Sequence, residues 1–438
     1  MKLSRPLPLS RRLAVPTAAL MLAGLTATAC APSTSDNTAT EDDKSGTLRV
    51  WLFQEVDNKP KQRVVDDVVS AFEKKHDGVK VDVTYIPIDT RAQKIKAAFN
   101  DPKSAPDIIE YGNTDTAGYV EDGGLADISK EFGAWDESAN TDSTAKNSVT
   151  VGGKVYGVPL FVGVRALYYR TDVFKDLGLE PPTSQKELIA TAKEIHERKP
   201  GLYGISVGGA YTYGAMPFIW ANGGELATEK GPFGSNEYES AIDGADAKKG
   251  IKSYTSLITD DNCPPAKCAQ WGGNDSVAAF AAGKSGMTIG GDFNHAAIEA
   301  GSVKGKYAVV PLPGVKEGSI APAFAGGNNV GVLKSSTHRS LSVDLLEQLA
   351  GKKTQAELYD AMGFLPTFTD VRGEDPFVKP FVKTLDTSST FVPASPGWSA
   401  IDSQMVLPTM FQQIISGRKS VDAAAAEAAK KMDEAFGK

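Results

Sequence analysis

Leu48-Arg49-Val50-Trp51-Leu52-Phe53 is a short, nearly continuous apolar run, the pattern of a buried strand. The period then changes. From about Pro60 to Lys75, Val64, Val65, Val68, Val69 and Phe72 recur at helical spacing with Lys, Arg and Asp between them, and Asp77-Gly78 stops the helix. Val79 to Ile86 alternates and is rich in β-branched residues, so it predicts a second strand. A helix over about Thr90 to Phe99, followed by Pro102 and Pro106, leads to a third strand at Asp107-Ile108-Ile109-Glu110-Tyr111.

The same alternation continues. Lys154-Val155-Tyr156-Gly157-Val158-Pro159 and Ala166-Leu167-Tyr168-Tyr169-Arg170 read as strands, the first leaving one domain and the second entering another. Helices are expected over Ser184 to Arg198, Tyr213 to Ala221, Val277 to Lys284 and Ser420 to Phe436, with strands at Tyr203 to Val207 and Met287 to Asp292. Strands alternating with helices imply a parallel α/β sheet, and ligands of such sheets bind beyond the carboxyl ends of the strands. Gln54-Glu55 and Gly112-Asn113-Thr114-Asp115 stand at two such ends, where turns and helix caps also need polar residues.

The first thirty residues form a separate pattern. Lys2, Arg5, Arg11 and Arg12 make a basic head, and Leu13 to Ala29 is an apolar run interrupted by Pro16. It is short for a membrane span of about 20 residues and has the layout of a secretory signal over residues 1–29. Ser10-Arg11-Arg12-Leu13 also hints at twin-arginine export. Ala27-Thr28-Ala29-Cys30 resembles a bacterial lipobox, in which the cysteine is lipidated and becomes the new N-terminus. Residues 30–46 would then be the lipidated cysteine and a flexible spacer, since Ser, Thr, Asp, Asn and Ala offer nothing to bury.

Composition narrows the function. The chain carries a net charge of −7, and what remains after the basic head is more acidic still. A nucleic-acid partner is therefore not expected. About 400 residues follow the spacer, enough for two domains at roughly 100–200 residues each. Cys263 and Cys268 flank Pro264-Pro265-Ala266-Lys267, and in an oxidising exterior a local disulfide is expected. His76, His196, His295 and His338 lie far apart and away from the cysteines, so neither a metal site nor a cofactor is expected.

Several segments in order resemble the extracellular solute-binding proteins of sugar ABC importers. They are Ala105-Pro106-Asp107-Ile108-Ile109, Gly123-Gly124-Leu125-Ala126-Asp127, Val155-Tyr156-Gly157-Val158-Pro159 and Leu167-Tyr168-Tyr169-Arg170-Thr171-Asp172. Asn222-Gly223-Gly224, Ala278 to Met287 and Gly417-Arg418-Lys419-Ser420 follow in the expected places. The resemblance implies a two-lobed periplasmic-binding-protein-like fold with hinge strands and a cleft between α/β lobes. Lobe 1 would take about 47–158 plus a later segment, and lobe 2 about 165–320 plus the C-terminal helices. It implies a monomer that captures a di- or oligosaccharide of chito-oligosaccharide, cellobiose or maltose type and delivers it to the importer's transmembrane subunits. A lipid anchor would hold it at the outer face of the cell membrane.

Sugar sites of this family use rings against C–H faces and polar side chains on hydroxyls. Carried over position by position, Gln54, Glu55, Tyr111, Asn113, Thr114 and Asp115 would serve from the first half. Tyr211, Tyr213 and Trp220 mark the second-lobe contact helix, and Trp398 is the late ring. Gly291-Asp292-Phe293 replaces the family's Gly-x-Trp, leaving Phe293 to stack and Asp292 to take a hydroxyl; Trp271 is a further candidate ring. Trp51 and Trp135 are assigned to packing. Arg165, in the apolar stretch between the crossing strands, needs either a sugar hydroxyl or a hinge carboxylate. An acidic, aromatic cleft suits a neutral sugar better than an anionic one. The competing class is an exported serine esterase, because Gly204-Ile205-Ser206-Val207-Gly208 fits the G-x-S-x-G pattern around Ser206. Glycoside hydrolysis needs two placed carboxylates, and the family resemblance counts against it. A lipoprotein scaffold that binds another protein is a third class, against which the many aromatics at element ends count.

Overall fold

The computed structural model describes residues 42–437 except 56–57, 88–89, 231–236 and 373–374. The signal segment, Cys30 and most of the spacer lie outside the described residues.

The chain starts with β1 (Gly46–Phe53), α1 (Lys59–Lys75), β2 (Val79–Ile86), α2 (Arg91–Asn100), β3 (Ile108–Gly112) and α3 (Thr116–Glu121). It then crosses through β4 (Val158–Gly163) and β5 (Arg165–Arg170), separated only by Val164. Next come α4 (Gln185–Arg198), β6 (Tyr203–Ser206), α5 (Thr212–Ala221), β7 (Ser285–Gly291) and β8 (Tyr307–Val310). It returns through β9 (Gly326–Val332), α6 (Arg339–Leu349) and α7 (Lys352–Met362), and ends in α8 (Pro396–Ser403), α9 (Val406–Ile415) and α10 (Val421–Ala435). Two sheets result. The first has the order β2-β1-β3-β9-β4 and the second β8-β5-β7-β6. In the first, β1 runs parallel to β2 and β3, whereas the returning β9 is antiparallel to β3 and β4.

Local chemistry explains these elements. α1 carries Pro60 in its first turn, where a missing N–H costs nothing, and Lys74 and Lys75 in its last, where cations suit the helix dipole. Its buried face is Lys61, Val64, Val65, Val68 and Phe72. Burying the Phe72 side chain contributes about 1.5–3 kcal/mol. Ser184 caps α4 by accepting from the Glu187 N–H at 3.2 Å. The expected strand Lys154 to Pro159 is divided. Lys154–Val155 forms a small hairpin with Thr150–Val151, and the sheet strand starts only at Val158. Gly157 lies at the break, where a Cβ would come within 2.5 Å of the Tyr111 hydroxyl.

Each sheet has its own core. Leu48, Val50, Phe72, Ile108, Val332 and Leu346 anchor the first; Leu167, Ile205, Ile219, Met287, Tyr254 and Phe411 anchor the second. A third cluster, with Val162, Val164, Ala166, Ala325 and Leu365, packs around the crossing strands. Two further connections cross nearby, since Ala323–Phe324 pairs in parallel with Ser389–Thr390. The Cys263–Cys268 disulfide is present, with Cα atoms 6.0 Å apart.

Candidate functional site

The carboxyl ends of β1 and β3 open on a cavity of about 210 Å³ that also faces the second lobe. Glu55, Arg91, Asn113, Thr114, Phe161, Asn328 and Phe364 line it from the first lobe. Arg165, Tyr213, Phe293 and Phe324 line it from the crossing strands and the second lobe. Two stacked ring pairs contribute apolar surface: Phe161 on Phe364, with centroids 4.3 Å apart, and Tyr213 on Phe324, 4.7 Å apart.

Arg165 is set among these rings. Its guanidinium lies 5.1 Å from the Phe293 centroid, 5.3 Å from Phe324 and 5.7 Å from Tyr213. One Nη donates to the Gly163 carbonyl at 3.0 Å. Its Nε is buried, and nothing among the described residues accepts from it. Asn113 is fixed by the strand that returns: its N–H donates to the Gly327 carbonyl at 3.0 Å and its Nδ2 to the Ala325 carbonyl at 2.9 Å. Gly327 has φ +129°, a conformation that side chains rarely adopt, and a Cβ there would come 2.0 Å from the Phe161 carbonyl oxygen.

Polar groups of the two lobes face each other beside the cavity. The Tyr213 hydroxyl lies near the Asp402 carboxylate and the Thr114 side chain, and burial raises the pKa of both Tyr213 and Asp402. Burial pushes the Asp115 carboxyl up to about 6; the nearby Arg91 guanidinium opposes that rise and the Asp402 charge adds to it. α3 and α8 approach closely here, since a Cβ on Gly118 would come 2.9 Å from Ser399 Oγ.

Of the residues chosen from sequence, Glu55, Asn113, Thr114, Tyr213 and Phe293 line the cavity, as does Arg165. The others lie elsewhere. Gln54 is exposed beyond β1. Tyr111 is wholly buried under β3, with its hydroxyl 3.4 Å from the Tyr156 carbonyl. Asp115 is the partly buried residue before α3. Tyr211, Trp220 and Trp398 belong to the second lobe's core, and Trp271 packs edge-on to Tyr203. Asp292 is buried at the crossing, where its two carboxylate oxygens accept the Val164 N–H at 2.7 Å and the Leu365 N–H at 3.0 Å. Burial pushes its carboxyl up to about 7 against these two bonds. Asp292 thus ties the crossing strand to the segment after α7.

Ser206 corrects the esterase expectation. It is fully buried, its hydroxyl donating to the Ser276 carbonyl at 2.8 Å and meeting Ser285 Oγ at 2.9 Å. A nucleophile elbow exposes its serine at the top of the sheet; this serine is a satisfied core hydroxyl. The cleft also differs from the acidic surface expected, because Arg91 and Arg165 line it with Glu55 as the only carboxylate among the lining residues. Sequence reasoning missed Arg91, Phe161, Phe324, Asn328 and Phe364. A signal existed for Asn328: Gly326-Gly327-Asn328-Asn329 puts polar and glycine residues inside a strand.

Comparison with known proteins agrees with this architecture. A family profile described as bacterial extracellular solute-binding protein matches residues 67–382. The diacetylchitobiose binding protein DasA of Streptomyces coelicolor is 27% identical over 346 residues, covering 76% of this chain and 77% of that one. The maltooligosaccharide ABC transporter solute-binding lipoprotein of Streptococcus pneumoniae is 24% identical over 368 residues, covering 80% and 79%. An ABC transporter solute-binding protein from Thermotoga lettingae, solved with α-D-tagatose bound, superposes with a TM-score of 0.78. It is 25% identical and covers 90% of this chain and 100% of its own.

Proposed function

The chain belongs to the bacterial extracellular solute-binding protein family, and from that premise we propose that it captures a sugar for an ABC importer. The observation that carries this reading is the cavity between the lobes. Ring pairs from both sides offer apolar faces to sugar C–H groups, and Asn113, Asn328, Glu55 and Arg165 offer donors and acceptors to hydroxyls. Buried hydroxyls left unpaired cost about 1–3 kcal/mol, so these polar partners set selectivity. Relatives named for diacetylchitobiose and maltooligosaccharides support the class of ligand. A cavity of about 210 Å³ is below the ~300–1,000 Å³ usual for ligand pockets. It suits one sugar ring with the lobes as they stand, and a longer chain calls for wider opening.

Capture follows from differential affinity: a sugar that contacts both lobes favours the closed arrangement. The experiment is a thermal-shift and calorimetric screen with N,N′-diacetylchitobiose, maltotriose, cellobiose and D-tagatose. At 100 times Kd the true ligand should add about 2.7 kcal/mol to stability. No shift with any sugar, or appearance of cleaved sugar, rejects the reading.

Tethering belongs to the same proposal. Cys30 would carry the lipid, and the importer's transmembrane subunits would receive the closed protein; the spacer expected over residues 31–46 is shortened to 31–41, because Asp42 and Asp43 already bond to Ser340 and Thr337 and Gly46 begins β1. A single acyl chain binds membranes only marginally, so more than one is required. Cys30→Ala is expected to move the protein from the membrane fraction to the soluble fraction. Unchanged retention of that variant would reject the anchor.

A further inference from the structure

Part of the cavity wall rests on charges that do not themselves line it. Lys61, in the first turn of α1, is 1% exposed. Its Nζ donates to the Phe53 carbonyl at 3.0 Å, to Glu110 Oε2 at 2.9 Å and to Glu55 Oε1 at 3.2 Å. Glu110 is wholly buried on β3. Through Oε2 it also accepts the Phe53 N–H at 2.7 Å, and through Oε1 it accepts Asn328 Nδ2 at 2.7 Å. Glu55 and Asn328 line the cavity, and Lys61 and Glu110 do not.

Stability alone gives little reason for this arrangement. A buried ion pair is often no better than well-packed apolar residues of the same volume, because desolvation offsets the attraction. Lys61 lies on the same helix face as Val65, Val68 and Phe72, where an apolar side chain would join the core directly. What charges add is direction. The ammonium and the carboxylate each make bonds of fixed geometry, and the outward bond of each ends on a cavity-lining side chain. Burial raises the Glu55 pKa; the Lys61 charge works against that rise and the Glu110 charge adds to it.

We propose that Lys61 is a positioning residue for the ligand, holding Glu55 directly, and Asn328 through Glu110, in the orientations the sugar meets. The proposal rests on the sugar-binding reading and assigns its precision to a buried pair that touches no ligand. A site held by such supporting bonds loses affinity when they go, even though its contact residues remain.

The test is a thermodynamic cycle in full-length mature protein. The probe is whichever of N,N′-diacetylchitobiose, maltotriose, cellobiose and D-tagatose binds the parent protein most tightly. Lys61→Met is expected to weaken that probe about 10-fold or more by calorimetry, with the ligand-free protein still folded by circular dichroism. In a background carrying Glu55→Gln and Asn328→Ala, adding Lys61→Met should change affinity less than about twofold, because residues acting through one another are not additive. A purely structural role would instead give the same loss in both backgrounds, and that result overturns the proposal. So does parent-like affinity in Lys61→Met. Should Lys61→Met not fold, Lys61→Met with Glu110→Gln removes the unpaired buried charge and keeps one carbonyl acceptor, enough for the Phe53 N–H while the hold on Asn328 is lost. It should fold and still bind about 10-fold more weakly, and parent-like affinity there also overturns the idea. If the parent protein binds none of the probes, the sugar reading falls and this proposal with it.

Discussion

Trp398→Ala is expected to lower the unfolding free energy by about 3–5 kcal/mol, the range for deleting a large buried aromatic. Trp398 is 1% exposed and sits in the core that also holds Ile401, Met410, Phe411 and Ala425. α8, which carries it, starts at Ser395, whose hydroxyl accepts the Gly397 N–H at 3.2 Å. The helix then packs against α9, α10 and α3. Removing the indole would leave a void bounded by close-packed apolar groups that relax only partly. Trp398→Phe should cost less. It retains most of the apolar volume, and among the described residues the lost Nε1 donor leaves no partner behind. Urea unfolding of the ligand-free variants checks both. A loss below about 1 kcal/mol for alanine would place the ring outside the core.

That ring also shows where sequence reading stops. Aromatic residues are buried for packing more often than they are offered to ligands, and chemistry alone does not separate the two uses. Trp220, Tyr111 and Tyr211 share the fate of Trp398: each belongs to a core and none lines the cavity. Phe161 has the opposite history. Within Leu160-Phe161-Val162 it reads as core, but on the strand it is the partly exposed member of a buried run. Its partner Phe364 lies 203 residues further on in sequence, a pairing that no local pattern could reveal.

The alternation of elements was legible because each obeys a local rule. Helical spacing marked α1, β-branched alternation marked β2, and Ser184 marked the start of α4. The polar residues Glu55, Asn113 and Thr114 were legible as candidates because crevices of parallel sheets open at the strand ends, and all three line the cavity. Asp292 was legible as important but not in its role. Its partners Val164 and Leu365 are 128 and 73 residues away. Only the assembled crossing shows that its carboxylate accepts two backbone N–H groups. Lys61 was hidden by its charge, although its register with Val65, Val68 and Phe72 placed it on the buried face of α1.

Arg165→Ala is expected to weaken sugar binding by roughly 30-fold or more, equivalent to about 2 kcal/mol. Three contributions add in the same direction. The guanidinium over three rings gains about 0.5–2 kcal/mol of cation–π attraction where water is excluded, and it keeps Tyr213, Phe293 and Phe324 in place as one wall. Arg165 lines the cavity, so guanidinium hydrogens that face it can donate to sugar hydroxyls. The positive charge also meets whatever hydroxyl dipole the sugar presents. Arg165→Lys should restore only a minor part, because an ammonium has no planar fork to lie among rings. Space around the group is limited as well: a Cβ on Gly326 would come 2.5 Å from one Nη. Gly326→Ala should therefore displace the guanidinium and weaken binding without removing any cavity side chain. Calorimetric titration of the three variants, with folding checked by circular dichroism, decides the matter. Binding within threefold of the parent for Arg165→Ala would remove Arg165 from the site and leave its ring cage as packing around the crossing strands.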